Sequence, residues 1–199
     1  MDLTKEFRTA LLRYRLKPTD VDPYCERVLR DYAQLVPHLP PNVTSLLDIG
    51  CGWGGHALYF AQHYGPDTQV NLIEGTKETP KEQSGFRETA KPYRNGSIAV
   101  RMLANSGVSV KLYPVNGKTQ GLTIPSDLIV SLCSWLHHYS AETYLPLVLR
   151  SLNAGGFLLV DIRTGTDGIE RLTKAGLKII SLVKEKPKFT RILWQRGNE

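Results

Sequence analysis

The chain is poor in cysteine: Cys25, Cys51 and Cys133 are the only three among 199 residues. None stands in a CxxC pair, and none keeps a metal-ligand rhythm with the five histidines, which argues against a disulfide framework or a structural zinc and for no metal. No run of about 18 apolar residues occurs that could span a bilayer. Met1-Asp2-Leu3-Thr4-Lys5 lacks a signal-peptide core, so the expectation is a cytoplasmic protein with no membrane partner. Internal repeats and low-complexity tracts are missing too, and 41% hydrophobic with 22% charged residues is ordinary for a folded chain. The length suits one full core but not a nucleotide domain plus a separate substrate domain, which weighs against most dehydrogenases.

Acid is in deficit, with a formal net charge of +6. The cations crowd two segments, Lys77, Lys81, Arg87, Lys91, Arg94 and Arg101, then Lys174, Lys178, Lys184, Lys186, Lys188 and Arg191. Acids such as Glu78, Glu82, Glu88, Glu170 and Glu185 are spaced among them, so both segments read as solvated faces that attract anions without specificity.

What the chain does have is Leu46-Leu47-Asp48-Ile49-Gly50-Cys51-Gly52-Trp53-Gly54-Gly55. An apolar run with one embedded acid breaks into glycines and then resumes helical spacing through Ala57, Leu58 and Ala61. That is a buried strand, a tight turn able to approach a ligand, and a helix. The glycines also satisfy the dinucleotide fingerprint at Gly50, Gly52 and Gly55, so they do not decide the cofactor alone. Asp48 is more telling, because a carboxylate two residues before the first glycine is unusual in a strand feeding a dinucleotide turn. Val70-Asn71-Leu72-Ile73-Glu74-Gly75 reads as a second strand, ending in an acid about 24 residues after Gly50, where a carboxylate can chelate a ribose diol.

Further strands are expected at Val108 to Tyr113, Ser126 to Leu132 and Phe157 to Asp161, with helices at Ser97 to Asn105 and, capped by Ser140, at Ala141 to Leu152. Leu177 to Val183 and Phe189 to Gln195 are separated by so few residues that they can pair only as an antiparallel hairpin. Two helices lead the chain, one from Leu3 to Arg15 and one from Pro23 with Asp22 as cap, whose apolar face is Tyr24, Val28, Leu29, Tyr32, Leu35 and Val36. The segment Thr76 to Gly96 has few apolar anchors and is expected to be a mobile loop that closes over the site.

Asp48 with its glycines, Glu74, the Gly155-Gly156 entry to the fifth strand and the terminal hairpin resemble class I S-adenosylmethionine-dependent methyltransferases over about residues 42 to 196. The resemblance implies an α/β fold, a doubly wound Rossmann-like sheet, mostly parallel with a C-terminal antiparallel hairpin. It divides the chain into N-terminal helices at 1–41, as a lid or as packing, and a methyltransferase domain at 42–199, in effect one domain. It implies S-adenosyl-L-methionine as cofactor. Asp48, Gly50, Cys51, Gly52 and Gly54 would hold the methionine half, Glu74 with Gly75 the ribose, Val115 with Asn116 the adenine edge, and Ser131 would complete the set at the fourth strand's end.

Ser131-Leu132-Cys133-Ser134-Trp135-Leu136-His137-His138-Tyr139 follows that strand into the crevice and is the candidate acceptor side. The Asn/Asp-Pro-Pro-Tyr/Phe motif of the similar amino-methyltransferases is missing. Two imidazoles and a hydroxyl stand there instead, groups suited to deprotonating an alcohol or phenol, with His137 preferred to His138 as base. From Ser131 to Tyr144 the chain is similar to bacterial and phage-type methyltransferases of sugars and small hydroxylated metabolites. The expected partner is a small-molecule or glycan acceptor, and the chain a monomer or weak homodimer. Two rivals stay open: a nucleic-acid methyltransferase using the basic segments as a phosphate track, and a catalytically silent cofactor-binding module.

Overall fold

Each step of the chain is short enough, and each apolar run regular enough, to build one layered sheet. The computed structural model describes residues 3–14, 16–76, 86, 94–115 and 119–198. In chain order the elements are α1 (Leu3–Arg13), α2 (Pro18–Leu35), β1 (Ser45–Ile49), α3 (Gly55–Tyr64), β2 (Gln69–Glu74), α4 (Gly96–Asn105) and β3 (Val110–Pro114). They continue with β4 (Ser126–Ser131), β5 (Ser134–Tyr139), α5 (Leu145–Ser151), β6 (Leu152–Arg163), α6 (Gly168–Lys174), β7 (Leu177–Lys186) and β8 (Phe189–Arg196).

Seven strands form one sheet in the order β3-β2-β1-β4-β6-β8-β7. The first five run parallel, and β8 is antiparallel to both its neighbours, so the expected doubly wound sheet with a terminal hairpin is what the chain forms. Alternation along β1 sends Leu46 to one core and Leu47 and Ile49 to the other, and β4 does the same with Leu128 and Ile129. The first core is closed by α1 to α4, through residues such as Phe7, Leu11, Val21, Cys25, Leu58 and Leu103. The second takes Trp135, Leu147, Val148 and Leu172. The chain winds outward from β1 to β3 and then returns to β4 beside β1, and this reversal opens a crevice at the carboxyl ends of those two strands.

Their amino ends are clipped by Asp127. Its carboxylate accepts the Thr44 and Ser45 N–H groups at 2.9 and 3.0 Å and the Asn153 amide at 2.8 Å. Burial pushes its pKa up, but these hydrogen bonds prevail and bring it down to about 2.

Several boundaries differ from expectation. Helix α2 begins at Pro18, not Pro23, because Pro18 takes the first-turn place where its missing N–H costs nothing. Asp22 therefore lies inside the helix, where it pairs with Arg8 of α1 at 2.5 Å. The inward face is Val21, Cys25, Val28, Asp31 and Leu35, while Leu29 and Val36 are exposed. An acid joins that stripe because Lys184 and Arg191 of the hairpin neutralise it. The single helix expected from Ala141 is broken: a 3-10 turn covers Ala141–Thr143, Tyr144 departs to φ −133°, and α5 starts anew with Pro146 in its first turn. Ser140 makes no side-chain cap there. Strand β5 lies outside the sheet, between the left-handed residue Cys133 and the 3-10 turn, and is itself interrupted by the left-handed residue Leu136. Helix α6 forms where no element is expected from the sequence. The loop expected at Thr76 to Gly96 lies, except for its ends and Phe86, outside the described residues. No helix among the described residues is long and apolar enough to cross a membrane.

Asp161 of β6 and Arg191 of β8 face each other in register, both fully buried, with bonds of 2.6 and 2.9 Å. Truncating Arg191 to Ala would strand a buried carboxylate, and the expected cost is about 3–5 kcal/mol in urea unfolding. The Asp161→Leu/Arg191→Met pair should recover most of that; equal loss in the single and double variants would show that the pair is not what the single change removes.

Candidate active site

The turn after β1 runs Gly50, Cys51, Gly52, Trp53, Gly54, with all three glycines in the left-handed region at φ 76°, 58° and 81°. They serve different ends. A Cβ on Gly50 would collide with the Ser134 side chain, and one on Gly54 would come within 2.7 Å of Ala99 on α4. A Cβ on Gly52 would meet nothing within 4 Å. Gly50 and Gly54 are thus needed for packing, whereas Gly52 presents bare backbone to a cavity at the crevice.

Glu74 ends β2 on the cavity wall, its Oε2 accepting the Gly52 N–H at 2.9 Å and its Oε1 the Gly75 N–H at 2.8 Å. One carboxylate therefore sets both the glycine turn and the exit of β2. Gly96 presses against it, since a Cβ there would stand 2.9 Å from that of Glu74. Asn95 caps α4 by accepting the Ser97 N–H at 3.1 Å. Beside Glu74 the wall continues with Ile73, Val115 and Arg94. The Arg94 guanidinium lies 4.1 Å over the Trp53 ring, which in turn packs edge-on against Tyr24 of α2. The Tyr24 hydroxyl accepts the Gly55 N–H at 3.0 Å, so α2 is tied to the start of α3.

Asp48 is buried behind the glycine turn, at 3% exposure. Burial, reinforced by the Glu74 charge, raises its pKa to about 8. Cys51 is buried there too, and burial raises its thiol well above the ordinary range.

At the end of β4, Ser131 is fully buried, donating to the Ile49 carbonyl at 2.8 Å and accepting the Trp135 N–H at 2.9 Å. It ties β1, β4 and β5 together and does not reach the cavity wall. Cys133 does, held in the left-handed region by Asp161, which accepts its N–H at 2.9 Å and its thiol at 3.3 Å. Burial and this carboxylate push the thiol pKa up to about 12, so it is no nucleophile at neutral pH. Ser134, His138, Tyr139 and Tyr144 complete the wall. His137 points elsewhere: its ring packs edge-on to Phe189 at 5.6 Å, and burial lowers its pKa to about 4.

Of the residues singled out from sequence, then, Gly50, Gly52, Glu74, Val115 and His138 converge on the cavity. Asp48, Cys51, Gly54, Gly75 and Ser131 form the frame behind it. Asn116 lies outside the described residues. Of the two histidines, His138 lines the cavity and His137 does not, because adjacent residues of an extended segment point to opposite sides. Cys133, Ser134 and Tyr139 of the expected acceptor stretch line the cavity too, whereas Arg94 and Tyr144 carry no site signal of their own; Asn95-Gly96 before an apolar helical run marks the neighbourhood of Arg94.

No family model matches the sequence. No curated protein matches it either. Solved structures do. An O-methyltransferase family protein from Burkholderia thailandensis superposes with a TM-score of 0.60 at 13% identity, over 89% of this chain and 59% of that one. TehB from Haemophilus influenzae gives 0.58 at 13%, over 84% and 62%. The [4+2]-cyclase SpnF gives 0.58 at 18%, over 85% and 81%. The chain thus spans less than two thirds of the length of the first two. These likenesses define the class: the chain has the class I methyltransferase fold. A cyclase stands among the similar structures, so the reaction has to be argued from the site.

The acid whose pKa is raised makes a pH prediction. Below about pH 4 Asp48 is protonated folded or unfolded; between its ordinary 3.8 and about 8 only the folded chain keeps the proton. Stability should therefore fall as pH rises through that window and level off above it. Melting curves of the Asp48→Asn variant are expected to show a smaller loss over the same range, and an unchanged slope would show that Asp48 ionises freely in the fold.

Proposed function

We propose that the protein is an S-adenosylmethionine-dependent methyltransferase that methylates an oxygen of a small molecule or glycan. The observation that carries this reading is the division of labour in the glycine turn: Gly52 keeps an open backbone face on the cavity while Glu74 fixes that same residue's N–H. A cradle that a Cβ would fill, beside a strand-end carboxylate at the switch point, fits an adenosyl group with a ribose diol. Glu74, with Val115 farther along the wall, would hold the nucleoside, and the Gly50 to Gly54 turn the methionine half. Asp48, kept protonated by burial, is a carboxyl that a nearby positive charge would ionise, as befits a cationic cofactor. When bound, the cofactor supplies an electrophilic methyl group on its sulfonium.

The chain's own residues supply the rest. His138 is the imidazole on the wall and the preferred acceptor of the hydroxyl proton, with Tyr139 and Tyr144 enclosing the acceptor and excluding water. Burial, with Glu74 next in effect, holds the Tyr144 phenol above its ordinary pKa, so it stays a neutral hydroxyl. Orientation supplies most of the acceleration and the base a smaller share.

Calorimetry is expected to find micromolar binding of S-adenosylmethionine and S-adenosylhomocysteine and none of NAD. Glu74→Gln should weaken binding by about 1–3 kcal/mol through a lost charge-assisted hydrogen bond, and Gly52→Val should abolish it by filling the cradle. Preference for NAD would overturn the cofactor reading.

With an acceptor identified from the gain of one methyl in metabolite mixtures, His138→Ala should lower kcat by about 10²–10⁴ and leave cofactor affinity unchanged. His137→Ala should act through stability alone. Parental turnover in His138→Ala would remove the imidazole from the mechanism, and tight cofactor binding without turnover on any acceptor would favour the silent module.

A further inference from the structure

The loop that carries Cys133 has a second side. Cys133 lines the cavity and also a groove outside it, between α2 and the turn joining β7 to β8. Because β8 runs antiparallel to β6, with Phe189 opposite Arg163, this turn lies at the carboxyl edge of the parallel strands, the same edge as the crevice.

The groove is strongly one-sided in charge. Arg27 and Arg30 of α2 face Lys184, Lys186 and Lys188 of the hairpin, five cations against the single carboxylate of Asp31. That carboxylate is already engaged, by Lys184 at 2.8 Å and by Arg191 at 3.5 Å. Burial alone would push its pKa up, yet these two cations hold it below the ordinary carboxylate range. Arg30, Lys186 and Lys188 have no acidic partner among the described residues. Like charges gathered in a concavity repel one another and concentrate anions there. The floor is apolar, formed by Pro187 and Phe189. The Phe189 ring is fixed by the His137 edge at 5.6 Å and by the Arg191 guanidinium 5.6 Å over it.

Resting on the methyl-transfer reading, we infer that this groove seats the acid group of the acceptor. The acceptor is a small hydroxylated molecule bearing a phosphate or carboxylate. Arg27, Arg30, Lys186 and Lys188 hold the anion, and the apolar or ring portion lies on Phe189. The hydroxyl end then passes Cys133 into the cavity, where His138 stands. A small acid is favoured over a nucleic acid because the cations converge on one aromatic-floored pocket and do not form a long stripe.

The test needs no natural acceptor. Nitrogen-15 labelled protein is titrated by NMR with phenyl phosphate, with benzoate and with phenol, and S-adenosylhomocysteine is titrated by calorimetry in parallel. Phenyl phosphate or benzoate should shift the amides of Cys133, Lys188 and Phe189 while phenol does not, and the stronger of the two acids identifies the anion. The Arg30→Glu/Lys188→Glu variant should lose affinity for that acid by about tenfold or more, with S-adenosylhomocysteine affinity unchanged. Equal shifts with phenol, or an acid affinity that survives charge reversal, overturns the inference while S-adenosylhomocysteine binding leaves the methyl-transfer reading standing. Failure to bind S-adenosylhomocysteine instead sinks that reading, whatever the acids do. A short oligouridylate that displaces the acid at about a hundredfold lower concentration would reassign the groove to nucleic acid.

Discussion

One buried ion pair carries the carboxyl edge of this protein. Asp161 and Arg191 meet across β6 and β8 with no exposure to water, and neither charge could remain there without the other. The same carboxylate holds the Cys133 backbone in its left-handed conformation. The same guanidinium reaches Asp31 on α2, which Lys184 of β7 also bridges. The hairpin, the loop after β4 and the second N-terminal helix are thereby joined through a few shared charges in a low dielectric, where each bond strengthens its neighbours. His56 lies near Asp31 at 3.8 Å, but burial lowers its pKa to about 4, so it contributes a neutral ring and no further charge.

On the β2 side of the crevice the controlling group is Glu74. It is a surface-type residue that has become part of the frame, 6% exposed and bonded to the backbone of two glycines. The turn it braces can be bare at Gly52 because Gly50 and Gly54 carry the packing against Ser134 and Ala99. The N-terminal helices bear on the same place, since Phe7 and Val28 meet Gly55 closely and Tyr24 bonds its N–H. Whatever enters the cavity therefore feels α1 and α2 through the glycine turn and through Asp31.

Much of this was legible in the chain. The strand-turn-helix at Asp48 to Ala61, the acid at Glu74 and the final hairpin depend on local periodicity, on glycine's freedom at positive φ and on short connections. Those are properties of contiguous residues. The features that are not legible there depend on distant residues. Helix α2 can bury Asp31 because its partners are Lys184 and Arg191, more than a hundred residues away. The break at Tyr144 and the extended path of β5 follow from packing Trp135, whose indole donates to the carbonyls of Ser140 and Ala141.

The sequence by itself determined the class of fold, the glycine turn and the carboxylate beside it, since backbone freedom and hydrophobic period act over a few residues. It also determined that the C-terminal lysines exist, but not what they face. Only the tertiary structure brought Lys186 and Lys188 opposite Arg27 and Arg30, and turned His138 toward the cavity and His137 toward Phe189. The reason is physical: composition gives the amount of charge, whereas its direction depends on how α2 packs against an antiparallel hairpin formed at the other end of the chain.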